Sequence, residues 1–538
     1  MQVKSHIRIS FFILWHVREY RLARTAKGAT GRMELKSYQD TVVTSQNICE
    51  TKLELPVETE ILIPDYLPQV FKIVKCFVYP VVLQKQVMAG RLTAEGYLRC
   101  IVYYQGDGEE GLCQTEQKIP FTKQVELRET ANVAPVIQIS GEPEYLNCRA
   151  VSGRRVDVRG AYALNITACA QEENEIITAL AGGGIEQKTC ELAGIANVGI
   201  QEKLITAEED ISFEKMPVMI LSTRCESEIS EVKLLTGKAV VKGTLSTEIV
   251  YRAAPGEEFI HEKKQAPFNT VMDVDGASEN CKAFVLVEPT GCTITAGPEE
   301  SPEQNLLSIT ALVQVRVYRE IQQIAVCDAF STQDEIEMSR GERSMEFVLD
   351  EIDSAFELGT SGALPDEHAQ ILEAWATPLS LDIVEQDAGS ALRCRAMLHL
   401  LCKNALGELD CYDKICEELL PGIYPEASQN MMVQYELSAQ DTTARQAGTE
   451  TEAHAAVHVK ALVTGFRKTD VLQDVRSTGP RERKDGDIAL RIYFAQPGED
   501  LFDIAKRYAA SPQAIATANQ VSDGPLTEAC KLLIPSSL

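Results

Sequence analysis

Apolar and polar residues alternate with a period of two over long stretches of this chain. The stretch "GRLTAEGYLRCIVYY", which begins at Gly90, shows the pattern at Leu98, Cys100, Val102 and Tyr104. Side chains of a β-strand point to opposite faces in turn, so the pattern predicts a strand with one buried face. A polar loop, "QGDGEEG", and a second run ending in "IPF" follow it. Together they predict a β-hairpin.

The hairpin pattern recurs further along the chain. "GKAVVKGTLSTEIVYR", which begins at Gly237, lines up with the first copy without a gap. The same spacing relates three further pairs of residues: Gly96 and Gly243, Tyr104 and Tyr251, and Phe121 and Phe268. A more diverged third copy reads "SALRCRAMLHLLCKNALGELDCYDKICEELLP". Self-similarity of this kind indicates a repeated structural unit.

The predicted fold class is mainly β: tandem antiparallel β-sandwich-like repeats plus a small C-terminal β-α-α-β module. Between the second and third repeats, "SMEFVLDEIDSAFEL" has apolar residues at helical spacing and predicts a helical connector. "RSTGPRERKDGD" has the composition of a linker. The predicted domains are a non-native N-terminal extension at 1–32, β repeats at 33–180, 195–343 and 359–475, the connector at 344–358, the linker at 476–487 and the terminal module at 488–538.

The first thirty-two residues fit neither a globular domain nor a targeting segment. The apolar run "ISFFILWHV" is too short to span a bilayer. Basic residues lie on both sides of it, and no clear cleavage site follows. Lys27-Gly28-Ala29 can be encoded by a ribosome-binding sequence shortly before Met33. We therefore expect translation to start at Met33, which leaves no targeting signal and no transmembrane segment.

The chain has 538 residues and a net charge of −27. That length is too great for one hydrophobic core and predicts several domains. An acidic surface repels phosphate backbones and anionic lipid headgroups, so we expect no nucleic-acid partner. A basic protein partner or a neutral polymer fits the charge better.

The sixteen cysteines are scattered without a CxxC pair, which is typical of buried thiols in a reducing compartment. The densest group could be read as a metal site or as core packing: Cys394, Cys402, Cys411 and Cys416. Its spacings match no zinc pattern, and part of it lies in an apolar run, which favours core packing. His454 and His458 have ligand spacing only on a helix, whereas their segment reads as a strand. We expect no metal and no cofactor.

Motifs of catalysis are missing from the sequence. It contains no Walker A pattern, no nucleophile elbow and no HExxH. Its acidic residues are dispersed, and a carboxylate pair for glycoside cleavage cannot be identified by spacing. We therefore expect no catalytic residues and a non-enzymatic function.

The last fifty residues have a different pattern. "LRIYFAQPG" alternates as a short strand and stops at a Pro-Gly turn, and "EDLFDIAKRYA" has apolar residues at helical spacing. Ser511 and Pro512 are suited to the start of a second helix, "PQAIATAN". "CKLLIP" supplies a returning strand. The order is β-α-α-β.

This terminal unit resembles a LysM domain. The matching residues are Pro497, Gly498, Leu501, Ile504, Ala505, Tyr508, Asn519, Leu532, Ile534 and Pro535. The resemblance implies ligand binding through the loops after the first strand and after the second helix. The sequence departs from the family at Glu499 and Asp500, where Asp-Thr is common, and at Phe502, where Trp is common. Two carboxylates disfavour a neutral sugar and favour a basic protein group.

The repeats resemble SPOCS domains of clostridial spore-envelope proteins through "IPDYLPQVFKIV", "GYLRCIVYY" and "IPF". SPOCS repeats followed by one LysM are similar to the order in the SipL family of spore-envelope morphogenetic proteins. The resemblance implies an adaptor in the mother-cell cytoplasm, at the outer forespore surface, whose LysM docks onto the coat basement-layer ATPase SpoIVA. The alternative is a wall protein that binds peptidoglycan or N-acetylglucosamine through the same module.

The residues expected to bind the partner or a glycan lie in the two LysM loops. They are Gly498, Glu499, Asp500, Leu501, Phe502, Asn519, Gln520 and Val521. Leu501 and Phe502 would supply an apolar centre for a protein interface. The other interpretation of these two side chains is that they pack the small core of the module.

Overall fold

The computed structural model of this chain describes residues 34–107, 111–128, 134–182, 184–254, 258–297, 304–365, 369–425, 431–447, 450–481 and 490–535. The expected N-terminal extension and the start at Met33 lie outside the described residues.

Three units of the same topology make up most of the described chain. Each has two three-stranded antiparallel sheets: a meander of its second, third and fourth strands, and a long sheet with the sixth strand between the first and the fifth. Unit 1 consists of β1 Lys36–Leu62, β2 Val70–Met88, β3 Arg91–Gly106, β4 Leu112–Glu126, β5 Val136–Ser152 and β6 Arg155–Ala181.

Units 2 and 3 repeat this order. Unit 2 consists of β7 Ile185–Ile211, β8 Met219–Leu235, β9 Lys238–Arg252, β10 Ile260–Asp273, β11 Lys282–Thr295 and β12 Asn305–Ser331. Unit 3 consists of β13 Asp334–Ala363, β14 Gln370–Gln386, β15 Gly389–Lys403, β16 Leu409–Leu419, β17 Met431–Ala447 and β18 Glu450–Pro480. The predicted tandem antiparallel repeats are confirmed, and the third copy has the same six strands as the first two.

The predicted hairpins pair in the same register. Gly96 lies opposite Phe121 in unit 1, and Gly243 lies opposite Phe268 in unit 2. The alternating residues of β3 face the core between the two sheets, as the period of two predicts. Tyr104 is completely buried there, as is Tyr251 in unit 2.

The repeated glycine has a steric reason. A Cβ atom on Gly96 would lie 2.0 Å from the carbonyl oxygen of Val81. On Gly243 it would lie 2.2 Å from that of Glu228. In both units the neighbouring strand has a β-bulge beside the glycine, where the backbones approach closely. At the same place beside the bulge of unit 3 the chain has Ala396, which is one reason why the third copy diverges.

The predicted helical connector at 344–358 is wrong, because this segment lies within β13 and pairs with β18 on both sides of one bulge. A bulge between Val348 and Asp350 shifts the alternation of β13 by one residue. Met345 and Leu358 are both buried although the bulge separates them. The interrupted alternation imitates helical spacing, and the pairing with β18 decides in favour of a strand.

Other predicted boundaries also shift. Unit 2 begins at Ile185 and not at 195, and unit 3 begins at Asp334 because β13 is its first strand. The predicted linker at 476–487 is wrong in its first part, where β18 continues to Pro480. Residues 482–487 lie outside the described residues. The boundaries were misplaced because the ends of the long first and sixth strands carry many polar side chains. Their composition therefore resembles that of a linker.

The long sheets extend beyond their third strands as two-stranded ribbons. In each unit the described part of the sixth strand leaves the fifth strand and continues paired with the first strand alone. This happens after Cys169 in β6, after Tyr318 in β12 and after Gly465 in β18. One buried cluster between the three ribbons takes a side chain from each of the six strands. These are Val42, Ile176, Leu192, Ala325, Met345 and Val471.

A buried polar group joins the three units next to this packing. Arg316 Nη2 donates to Glu346 Oε1 at 2.7 Å, and both side chains are almost completely buried. Arg316 also donates to Asn197 Oδ1 at 2.8 Å and to Gln434 Oε1 at 2.9 Å. Gln171 Nε2 donates to Glu346 Oε2 at 3.0 Å. We call this group the polar junction; its members are Ser45, Gln171, Asn197, Arg316, Glu346 and Gln434.

The terminal module has the predicted β-α-α-β order. It consists of β19 Leu490–Ala495, α1 Leu501–Tyr508, α2 Pro512–Asn519 and β20 Cys530–Pro535, with β19 and β20 antiparallel. Ser511 is the N-cap residue of α2 with Pro512 after it, as predicted, but its hydroxyl makes no capping hydrogen bond. Among the described residues, no helix has the length and apolar character needed to cross a membrane.

Candidate partner-binding site

The loop between β19 and α1 begins with a tight turn. Gly498 has a φ of +88°, a conformation that favours glycine. The Glu499 carboxylate accepts hydrogen bonds from the Gln496 amide at 2.8 Å and from the Tyr493 hydroxyl at 2.7 Å. These bonds, the backbone one first, lower the pKa of Glu499. The charge of Glu499 is thus held in place at the surface of the loop.

This loop is joined to the loop that follows α2. The Gly498 amide donates to the Leu526 carbonyl at 2.7 Å, and the Leu526 amide donates back to the Glu499 carbonyl at 2.9 Å. Gln520 ends α2 with a φ of +55°, and the Val521 amide donates to the Ala516 carbonyl. The two loops named by the LysM resemblance therefore form one continuous edge.

Asp500 has two roles in the structure. Its Oδ1 accepts from the Phe502 amide at 2.9 Å and caps α1, and its Oδ2 forms an ion pair with Lys188 of β7. Burial opposes ionisation of Asp500, but the bonds from Lys188 and from the Phe502 amide outweigh it and lower its pKa. Asp500 is therefore paired with unit 2 in this structure.

The apolar residues of the loop are also occupied. Leu501 is completely buried and packs in the module's own core with Ile504 and Leu532, as the alternative interpretation stated. Phe502 packs edge-on against Phe330 of β12, with ring centroids 5.2 Å apart. Lys188 Nζ lies 6.0 Å from the centroid of the Phe502 ring. Phe502 thus faces unit 2, whereas Leu501 belongs to the module.

Asn519 holds the module together. Its Nδ2 donates to the Ile515 and Leu533 carbonyls at 2.8 Å, and its Oδ1 accepts from the Leu533 amide at 2.7 Å. These bonds join the end of α2 to β20. The Asn that the LysM resemblance includes after the second helix thus has a structural role in this chain.

The eight expected binding residues therefore divide into three groups. Gly498 and Gln520 are exposed, and Glu499 and Val521 are half-buried at the rim of the edge. Asp500 and Phe502 contact unit 2. The remaining two, Leu501 and Asn519, have partners inside the module.

Sequence reasoning missed two features of the module. One is its contact with unit 2, which also includes an ion pair between Lys506 and Asp328 at 2.6 Å. The other is the exposure of Ile492 and Phe494 on the outer face of β19. A signal for the second feature was present, because the strand "LRIYFA" carries apolar residues at both alternating sets of positions.

A cavity of about 460 Å³ lies where the three units meet. Its lining includes Tyr79 and Arg99 of unit 1, Arg224 and Glu288 of unit 2, and Trp375 and Glu436 of unit 3. Burial raises the pKa of Glu436 to about 8, and the hydrogen bond from the Val287 amide only partly opposes this effect. The Glu288 side chain lies deep in the protein but stays accessible to water through the cavity.

The arginines of the cavity have partners within the chain. Arg99 pairs with Glu116 at 2.6 Å, and Arg224 pairs with Glu248 at 2.7 Å. Glu436 accepts a bond from the Ser227 hydroxyl at 3.2 Å besides the one from the Val287 amide. Most of the charged lining is thus satisfied internally, which fits a solvated joint between units.

Three of the four clustered cysteines pack in the core of unit 3, as the core interpretation predicted: Cys394, Cys402 and Cys416. Cys411 belongs to a separate group with His399 and Asp413, whose ligand atoms lie within 4.8 Å of one another. His399 Nδ1 and Asp413 Oδ1 are 2.9 Å apart, and Asp413 also forms an ion pair with Lys75 of unit 1. The ammonium of Lys75 supplies positive charge where a metal ion would bind.

Comparison with known families concerns units 1 and 2. A family model described as "SipL, SPOCS domain" matches residues 69–151 and 218–296. The two segments span the meander sheet and the fifth strand of each unit. Searches of curated proteins and of solved structures found no match. Since the matched segments do not include 488–538, the LysM resemblance of the terminal module stays a prediction.

Proposed function

We propose that this SipL-like protein, with SPOCS domains at residues 69–151 and 218–296, is a non-enzymatic scaffold of spore-coat assembly. The SPOCS match supports a sporulation-related protein. The proposal goes further: the terminal module is a LysM that docks onto the coat basement-layer ATPase SpoIVA, and the protein acts in the mother cell at the forespore surface.

The observation that supports a scaffold most directly is the way the units interlock. Two matched SPOCS units and a third unit of the same topology share one polar junction and one packed set of ribbons. Buried polar groups that hydrogen-bond to one another across units fix the relative placement of the elements that supply them. Such a body can hold a small binding module at a defined place.

The charge of the module edge supports a protein partner over a glycan. Glu499 presents a carboxylate at the half-buried rim of the edge, to which the loop after α2 contributes the exposed Gln520 and the half-buried Val521. A Lys or Arg of a partner brings both a charge-assisted hydrogen bond and a counter-charge there, whereas a neutral sugar supplies hydrogen bonds without a counter-charge. The edge therefore fits a basic protein segment.

The test is a direct binding measurement with purified SpoIVA. The full chain should bind, and a chain that lacks residues 488–538 should not. Glu499→Gln should weaken binding about tenfold, since it removes the charge but keeps a hydrogen-bond acceptor. Glu320→Gln, the same change at an exposed ion pair on β12, is the matched control.

Titration of the full chain with chitin oligomers tests the alternative. Absent or millimolar binding is expected. Micromolar binding of chitin oligomers, together with no loss of SpoIVA binding on deletion of 488–538, would replace the proposal with a wall-binding protein that recognises peptidoglycan or N-acetylglucosamine.

A further inference from the structure

We propose that the Asp500–Phe502 edge of the terminal module has a binding partner within the chain: the ribbon of unit 2 docks on this edge and shields it. The docked and undocked states are in equilibrium, and only the undocked state presents Asp500 and Phe502 to another molecule. The consequence for partner binding rests on the proposed function, whereas the docking itself does not.

The contact joins complementary groups on two elements of the ribbon and one helix of the module. Lys188 of β7 pairs with Asp500 at the start of α1. Asp328 of β12 pairs with Lys506 near the end of α1, at 2.6 Å. The ribbon supplies one cation and one anion, and α1 has an anion at its start and a cation near its end. Turning α1 end to end would bring like charges together, so the charges favour one orientation of docking.

An aromatic contact accompanies the two ion pairs, and on the module side its residue Phe502 lies between Asp500 and Lys506 in the chain. Phe330 is almost completely buried, and it packs with Phe502 and with the core residues of the module. The rings meet edge to face, with an interplanar angle of 66°. Aromatic side chains in this arrangement are favourable beyond the area they bury. The ribbon therefore contributes one apolar anchor to the module.

The module does not depend on the ribbon for its own core. Leu501, Ile504, Ala505, Ile515 and Leu532 are buried within it and come from both helices and from β20. The capping bond of Asp500 to the Phe502 amide is also internal. Undocking would expose one face of α1 and leave these contacts in place.

The ion pairs of the contact are partly exposed, which makes docking reversible. The side chains of Lys188 and Lys506 are 40% and 32% exposed, and those of their partners Asp500 and Asp328 are 18% and 14% exposed. Ion pairs of this kind are weak and are screened by salt. One aromatic anchor and two screened pairs give a contact that salt or a competing basic protein segment can displace.

Sequence reasoning assigned Asp500 and Phe502 to an external partner, and the ribbon occupies both. A partner that uses this edge must compete with Lys188 for the carboxylate and with Phe330 for the ring. Only undocked molecules can bind such a partner. The apparent dissociation constant therefore equals the intrinsic one divided by the undocked fraction.

Hydroxyl-radical footprinting of the full chain, read by mass spectrometry, tests the docking. The variant is Lys188→Glu, which lies on β7 and leaves the module sequence and the helix cap unchanged. We expect the modification rate of Phe502 to rise at least threefold at low salt. In the unaltered chain, the rate should rise in the same direction between 20 mM and 500 mM NaCl.

The matched control is Lys282→Glu, which makes the same charge change at an exposed ion pair of unit 2 and should leave Phe502 protected. Phe330→Ala is a second variant that removes the apolar anchor without adding charge, and it should also raise the Phe502 rate. Equal Phe502 rates in the unaltered chain, Lys188→Glu and Phe330→Ala would overturn the docking.

Binding of purified SpoIVA to the same variants separates this inference from the proposed function. Tighter binding to Lys188→Glu than to the unaltered chain supports shielding, and equal binding overturns it. If SpoIVA binds neither chain while the footprint changes as expected, the proposed partner is wrong and the docking stands.

Discussion

Replacing Glu346 by Gln tests whether the polar junction locks the three units together. Glu346 is the partner in the one ion pair of Arg316 found among the described residues, and both side chains are almost completely buried. The substitution keeps the shape but leaves the guanidinium of Arg316 without a counter-charge. It also replaces an acceptor oxygen with an amide donor, so either Arg316 or Gln171 would face a donor.

The expected cost follows from this geometry. Removing one partner of a buried ion pair typically costs about 3–5 kcal/mol, because the other charge remains buried and uncompensated. For a cooperative unit of roughly 150 residues, a loss of this size lowers the melting temperature by about 10 °C. The polar junction draws on all three units, so the first calorimetric transition of the full chain should shift by this amount.

Differential scanning calorimetry at neutral pH provides the measurement. Glu320→Gln makes the same chemical change on an exposed residue of β12 and should shift the melting temperature by less than about 2 °C. Arg316→Met combined with Glu346→Gln should lose less stability than the sum of the single changes, by about 2 kcal/mol or more. A Glu346→Gln shift no larger than that of Glu320→Gln would refute the reasoning.

Three further predictions concern other parts of the molecule. Gly96→Ala should destabilise unit 1 by about 2 kcal/mol or more, because its Cβ would overlap a backbone carbonyl oxygen, and urea unfolding followed by circular dichroism measures this loss. Asn519→Ala should cost about 2 kcal/mol by breaking the bonds from α2 to β20, and it should speed amide exchange in 490–535 but not in the three units. Hydrogen bonds to Glu248 and then Glu373 raise the pKa of His261 to about 9, and the imidazole bridges units 2 and 3. The protonated bridge therefore stabilises the fold fully below about pH 6.5, and this stabilisation is lost as the pH rises to about 9. His261→Gln should therefore destabilise the fold by about 1 kcal/mol at pH 6 and by nothing at pH 10. The effect is small because the imidazole is partly exposed. A difference in thermal melting that does not depend on pH would contradict this assignment.

The sequence alone was sufficient for features that depend on neighbouring residues. Alternation at Leu98, Cys100 and Val102 marks a strand because side chains of a strand point to opposite faces in turn, whatever the rest of the chain does. The spacing of Gly96 and Gly243 revealed the repeat. Each glycine is required because the backbone of the preceding strand in the same unit lies too close for a Cβ atom. The order of elements in the terminal module was readable for the same reason.

Features that depend on distant partners could not be read in this way. In β13 the bulge between Val348 and Asp350 interrupts the alternation, and only pairing with β18, more than a hundred residues later, makes the segment a strand. The polar junction likewise joins Gln171, Arg316 and Glu346 from three units, and none of these residues stands out in its local sequence.

The candidate site shows the same division. The sequence by itself determined that Glu499, Asp500 and Phe502 follow the first strand of the module, because a turn and a helix start are encoded locally. The tertiary structure decided what these side chains meet: Lys188 and Phe330 reach Asp500 and Phe502 only because a ribbon from the second unit lies beside the last helix pair. Contacts between residues so far apart in the chain depend on how folded units pack, and local patterns carry no record of that packing.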